Sequence, residues 1–80
     1  MGKRRVKFTF PTVLITEPVI YNLGQKFQII TNIRSADVRE DTGWVVLELE
    51  GDEGEIDRGL KWVRDTGVRI DLVSGDVLEG

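Results

Sequence analysis

Few residues in this chain have a type and spacing that could carry a reaction. It contains no Cys and no His. That removes thiol and imidazole chemistry, disulfides, iron–sulfur clusters and the common zinc ligands. Its serines are Ser35 and Ser74, with no such base to activate them, so no catalytic residue is assigned. Phosphate cradles are Gly-rich loops carrying a Lys. Gly51-Asp52-Glu53-Gly54 is acidic instead and reads as a turn and helix start. Glu48, Glu50, Asp52, Glu53, Glu55 and Asp57 crowd together, but without the alternating oxygen ligands and terminal bidentate Glu of a calcium loop. They read as a solvated acidic face with helix-start charges, so neither a metal nor a cofactor is expected. Phe8 and Phe10 could stack on RNA bases, yet they share a face with Val6, which the alternation assigns to the core. With a net charge of −3, no nucleic-acid partner is expected.

What remains is a scaffold for binding, and its size is limiting. The 80 residues, 40 % apolar and 31 % charged, make one globular domain over 1–80, with a core at 5–73 and a short tail at 74–80. A domain this small buries only about 60 % of the surface its unfolded chain exposes. Of the usual reinforcements, a partner subunit is the one left open. No apolar run approaches the ~20 residues of a membrane span. No apolar segment follows Lys3-Arg4-Arg5, so a cytoplasmic protein without a signal peptide or membrane insertion is expected.

The elements follow from periodicity. Val6, Phe8 and Phe10 alternate with Arg5, Lys7 and Thr9, predicting a strand over 5–10 that Pro11 ends. Ile20, Leu23 and Phe27 predict a helix over 17–26, with Thr16 as cap and Glu17 and Pro18 in its first turn. The β-branched run over 28–39 is a strand whose parity changes between Ile33 and Ala36, which calls for a bulge near Arg34-Ser35. Asp41-Thr42-Gly43 reads as a turn with a positive φ at Gly43. Val45, Leu47 and Leu49 alternate with Trp44, Val46, Glu48 and Glu50 in the next strand. Asp52 and Glu55 have the spacing of a capping box. Ile56, Gly59, Leu60 and Val63 form a helical stripe in which Gly59 suggests close approach to the sheet. Gly67 closes that helix in the left-handed region. Val68, Ile70 and Leu72 alternate with Arg69, Asp71 and Val73 in the last strand.

The order β-α-β-β-α-β predicts an α+β, ferredoxin-like sandwich: one four-stranded antiparallel sheet with both helices on one face. The other face then carries Lys7, Thr9, Trp44, Val46, Arg69, Asp71 and Val73. Thr9, Trp44 and Val46 are the candidate dimer or partner face. The plainer account is a single aromatic lying on neighbouring stems.

Phe10-Pro11, Glu17-Pro18-Val19-Ile20, Leu23, Phe27, Asn32-Ile33, Ala36-Asp37-Val38, Gly43-Trp44 and Leu47-Glu48-Leu49-Glu50-Gly51 form an ordered set that resembles the NIL domain. The resemblance continues through Ile56, Leu60, Trp62 and Gly67-Val68. The family takes its name from an Asn-Ile-Leu motif, which here stands as Asn32-Ile33-Arg34. It implies the ferredoxin-like fold. It also implies a non-catalytic regulatory module, of the kind found at the C-terminus of methionine-importer ATPases and ahead of some iron–sulfur modules. In the importers such domains pair across a two-fold axis and bind methionine. The chain lacks a Walker A loop and cluster ligands, so it resembles a free-standing module. By the motif, Asn32, Ile33 and Arg34 are the ligand-binding candidates. Asn32 can both donate and accept, or serve instead as a bulge residue bonding local backbone. A homodimer, a small amino-acid ligand and a protein partner are all expected. An adaptor that binds no ligand and docks a redox or transport component through the open sheet face is the alternative.

Overall fold

The computed structural model describes residues 2–15 and 17–73. Strand β1 (Gly2–Phe10) leads through a 3₁₀ turn (Thr12–Leu14) to helix α1 (Val19–Lys26) and strand β2 (Ile30–Val38). Strand β3 (Gly43–Gly51), helix α2 (Glu53–Asp65) and strand β4 (Arg69–Leu72) follow. The sheet order is β2-β3-β1-β4, and every neighbouring pair is antiparallel. Each β-α-β crossover skips a strand, and both helices pack on one face. This is the ferredoxin-like α+β sandwich that the periodicity predicts.

The core is the set of residues whose spacing matches their element. Val6 and Phe8 of β1 and Val45, Leu47 and Leu49 of β3 are buried beneath Val19 and Leu23 of α1 and Ile56, Leu60 and Val63 of α2. Burial alternates strictly along β3. No polar or charged residue is buried among the described residues.

Strand β1 starts three residues before the predicted 5–10 span, because Gly2, Lys3 and Arg4 continue the ladder opposite Gly51, Glu50 and Leu49. Arg4 lies on the helix side. Its guanidinium donates to Asp57 Oδ1 at 2.7 Å and to Glu53, both on α2. Those two carboxylates, Asp57 first, raise its pKa.

Helix α1 starts two residues later than predicted. Pro18, with φ −81° and ψ 61°, is its cap and makes no side-chain capping bond. Val19 N–H donates to Glu17 C=O at 2.8 Å, a tight turn that leaves Glu17 outside the helix. The predicted cap at Thr16 lies outside the described residues.

Asp52 does cap α2: its Oδ2 accepts from the N–H groups of Gly54 (3.0 Å) and Glu55 (3.4 Å). The reciprocal half of the capping box is not made. The Glu55 carboxylate accepts instead from Gln28 N–H at 2.9 Å and from the Arg58 guanidinium, tying α2 to the segment that enters β2.

Two glycine expectations change as well. Gly67 alone among the described residues has a positive φ, 109°; Gly43 does not. The turn before β3 closes through Arg39 N–H to Thr42 C=O at 2.7 Å, which leaves Gly43 in ordinary strand conformation opposite Phe10 and Val38. At Gly59 the close neighbours are not the sheet. A Cβ there would stand 2.6 Å from Ile29 Cδ1 and 2.9 Å from Leu23 Cδ1, so this glycine seats α2 against α1 and the start of β2.

Candidate functional site

Strand β2 holds the three motif residues, and its local geometry decides what they can do. It pairs only with β3, so its outer main-chain edge is free among the described residues. Asn32 stands opposite Glu48, Ile33 opposite Leu47 and Ser35 opposite Val46. Arg34 is therefore the extra residue of the bulge expected at Arg34-Ser35. Sides alternate along a strand. Asn32 thus belongs to the open face and Ile33 to the helix-covered face. Beyond the bulge Ala36 and Val38 return to the helix side, which is what the parity change required.

Asn32 and Arg34 are exposed. Among the described residues the Asn32 amide makes no side-chain hydrogen bond and Arg34 makes no ion pair. The local backbone bond considered for Asn32 is not formed. The bulged residue is Arg34.

On the helix side, Ile33 lines an apolar groove of about 300 Å³ between α1 and β2. Phe10 and Val45 form its floor, Ile20 and Tyr21 its α1 wall, and Ile33 and Val38 its β2 wall. Among the described residues Glu17 is the one charged residue on the lining. Of the exposed large apolar side chains among the described residues, Tyr21 (65 %), Val38 (57 %) and Ile33 (56 %) line it. The groove can take an apolar side chain, and the strand edge beside it can take polar ends. Its walls come from segments distant in sequence, so only its Ile33 member was marked by a motif.

The open face carries the second predicted set. Thr9 stands opposite Trp44, with Val46 next along the same face. The structure brings these three together, away from the groove. Trp44 and Val46 are half-buried. The Lys7 ammonium lies 5.1 Å from the Trp44 ring centre, a cation–π contact whose stem covers the indole. Arg5–Glu48 (3.4 Å) and Arg69–Asp71 (3.3 Å) ion pairs flank it. Trp44 thus lies beside the Lys7 side chain, and neither Trp44 nor Val46 is among the exposed large apolar residues.

The perturbed ionisable groups are structural ties outside the groove. Gln28 N–H, and then Arg58, hold the Glu55 carboxyl below its ordinary 4.5. The Asp37 carboxylate raises Arg39 through a forked contact at the end of β2, with both distances 3.1 Å. Among the described residues no three Asp or Glu side chains gather into a metal site. No helix there is long and apolar enough to cross a membrane.

Comparison with known proteins fits this geometry. No curated protein sequence matches the chain significantly. Among solved structures the fold is similar to the C-terminal domain of an ABC transporter / ATP-binding protein from Enterococcus faecalis. That similarity has a TM-score of 0.77 at 19 % identity and covers 89 % of this chain and 83 % of that one. The family model of the NIL domain matches residues 4–72, which takes in all of the fold but the first two residues of β1, and the chain belongs to that family.

Proposed function

We propose that this chain is a non-catalytic regulatory module. It binds a small apolar amino acid, methionine-like, at an interface between two copies, and it signals to a cytoplasmic transport protein. The observation that carries this reading is the groove beside the motif strand. It is apolar on nearly all sides, it has the volume for an amino-acid side chain, and it opens at a free strand edge. A thioether or aliphatic chain would pack against Ile33, Tyr21 and Val38. The polar end would lie at the edge, where the bulge exposes the Arg34 guanidinium and Asn32 comes around from the other face. Membership of the NIL family and likeness to the C-terminal domain of an ABC transporter / ATP-binding protein support the transport setting.

Ligand binding regulates only when two states differ in affinity for it. Here the second state is the chain engaged with its transport partner.

The test is thermal unfolding with a panel of amino acids. A ligand that binds only the folded chain stabilises it by about 2.7 kcal/mol at a hundredfold excess over Kd. For a domain of this size that raises Tm by roughly 10 °C or more. A rise with L-methionine that is absent with L-aspartate is expected. An unchanged Tm with every apolar amino acid contradicts the reading.

A further inference from the structure

A carboxylate stands on the otherwise apolar lining of the groove between α1 and β2. It belongs to Glu17, and the main chain holds that residue from both sides. Glu17 N–H donates to Leu14 C=O at 3.1 Å, and Val19 N–H donates to Glu17 C=O at 2.8 Å. The Pro18 ring restricts the next φ, which is −81°. The Glu17 side chain is exposed. Among the described residues it makes no hydrogen bond or ion pair, so both carboxylate oxygens are open to a donor from a ligand.

The topology sets what surrounds it. Strands β1 and β2 both run antiparallel to β3. They are therefore parallel to each other, and α1 returns between them in the opposite direction. Glu17, just ahead of α1, stands at the end of the groove where Phe10 and Val38 finish their strands. That end is acidic. Thr12 Oγ1 donates to Asp41 C=O at 2.9 Å, which ties the 3₁₀ turn before Glu17 to the turn after β2. That turn and the last residues of β2 carry Asp37, Glu40 and Asp41 against Arg39, and the Asp37 carboxylate already engages the Arg39 guanidinium. No cation lines the groove among the described residues. Phe10 and Tyr21 add aromatic rings to the lining, and ring faces attract cations.

We infer that Glu17 receives the ammonium group of the groove's ligand, so that the groove selects small apolar amines and rejects apolar anions of the same shape. The inference rests on the groove being a ligand site and adds which group of the ligand is read inside it. Any molecule that fills the groove strips water from the Glu17 carboxylate, a loss that is costly unless a partner compensates it. An anionic occupant adds repulsion. An alkylammonium donates charge-assisted hydrogen bonds and neutralises the charge. The thioether or alkyl chain then runs along Tyr21, Val38 and Ile33. A carboxylate, where the ligand has one, turns away from Glu17 and out of the groove.

The test compares three thioethers by calorimetry at low salt: L-methionine, methylthiopropylamine, which lacks the carboxylate, and methylthiobutanoate, which lacks the amino group. The first two should bind, and the butanoate should be weaker than the amine by roughly tenfold or more. Glu17→Gln should weaken methionine and the amine by a similar factor. Glu17→Lys should reverse the order, with the butanoate binding better than the amine. Asp65→Asn removes the same charge from the exposed face of α2 and should leave all three affinities unchanged. Circular dichroism checks that each variant is folded, and the three-ligand comparison in the parent needs no variant. Equal methionine binding by the parent and Glu17→Gln, equal losses in Glu17→Gln and Asp65→Asn, or butanoate binding as tight as that of the amine overturns the inference and leaves an amino-acid site standing. Binding of the amine through Glu17 without binding of methionine keeps the inference and removes the amino acid as ligand. No binding of any of the three removes both.

Discussion

Asn32 and Ile33 are adjacent in sequence, yet one stands opposite Glu48 on the open face of the sheet and the other opposite Leu47 on the helix-covered face. A ligand can touch both only at the strand edge, where the bulge at Arg34 interrupts the ladder. The two residues therefore do different work. Ile33 shapes an apolar wall, and Asn32 offers an amide with no partner inside the described chain.

Asn32→Ala should weaken L-methionine binding and leave Tm unchanged without ligand. A hydrogen bond to a charged group contributes about 1.5–3 kcal/mol, so a loss of roughly ten- to a hundredfold in affinity is expected by calorimetry. Equal affinity would remove Asn32 from the site. Ile33→Asp should abolish binding by placing a charge in the groove.

Gly59 separates two kinds of crowding. The atoms that an added Cβ would meet, Ile29 Cδ1 and Leu23 Cδ1, are the ends of flexible side chains. Gly59→Ala should therefore stay within about 1 kcal/mol of the parent, since the gain in helix propensity offsets the small shift. Gly59→Leu has no such room and should cost about 1–3 kcal/mol, read as the midpoint of urea unfolding.

Removing the α2 cap with Asp52→Ala should cost about 1 kcal/mol, because two backbone N–H groups lose their acceptor. Leu47→Ala, at a fully buried position on β3, should cost about 2–5 kcal/mol. That is a large share of the few kcal/mol that hold a domain of this size together. Denaturant midpoints of the two variants check the ranking.

Acid should loosen the tie between α2 and the start of β2. The Glu55 carboxyl titrates below 4.5 in the folded chain because the charged form accepts from Gln28 N–H and Arg58. A lowered folded pKa adds stability above the unfolded value, and that stability is lost as pH falls through the folded one. The parent and Glu55→Gln should therefore differ in Tm at pH 7 and converge as pH falls from the ordinary carboxylate range through the lowered folded value. A constant difference across that range would contradict the assignment. Arg4 is shifted in the opposite sense, upward, by the Asp57 and Glu53 carboxylates, and stays charged throughout this range.

Local pattern was enough for the sandwich because the core residues recur at the period of their own element: Val45, Leu47 and Leu49 at two, Ile56, Gly59, Leu60 and Val63 near 3.6. Even the bulge showed as a break in parity between Ile33 and Ala36. Features set by distant parts of the chain were not legible in this way. Val19 begins α1 because Pro18 adopts a non-helical ψ, which no spacing reveals. Gly43 looked like a turn glycine, yet it is a strand residue facing Val38. The groove is the largest such case. Phe10, Tyr21 and Val38 meet only after the first crossover is made and β3 pairs between β1 and β2.

The most direct test is an amide-shift titration of the labelled protein with L-methionine, with L-leucine as the comparison. Saturating shifts for methionine at Tyr21, Ile33, Arg34 and Val38, with smaller ones at Asn32 and none at Arg69 or Asp71 on the far strand, are the predicted result. No shifts at millimolar methionine, or shifts confined to the open face around Trp44, would contradict an amino-acid site at the groove.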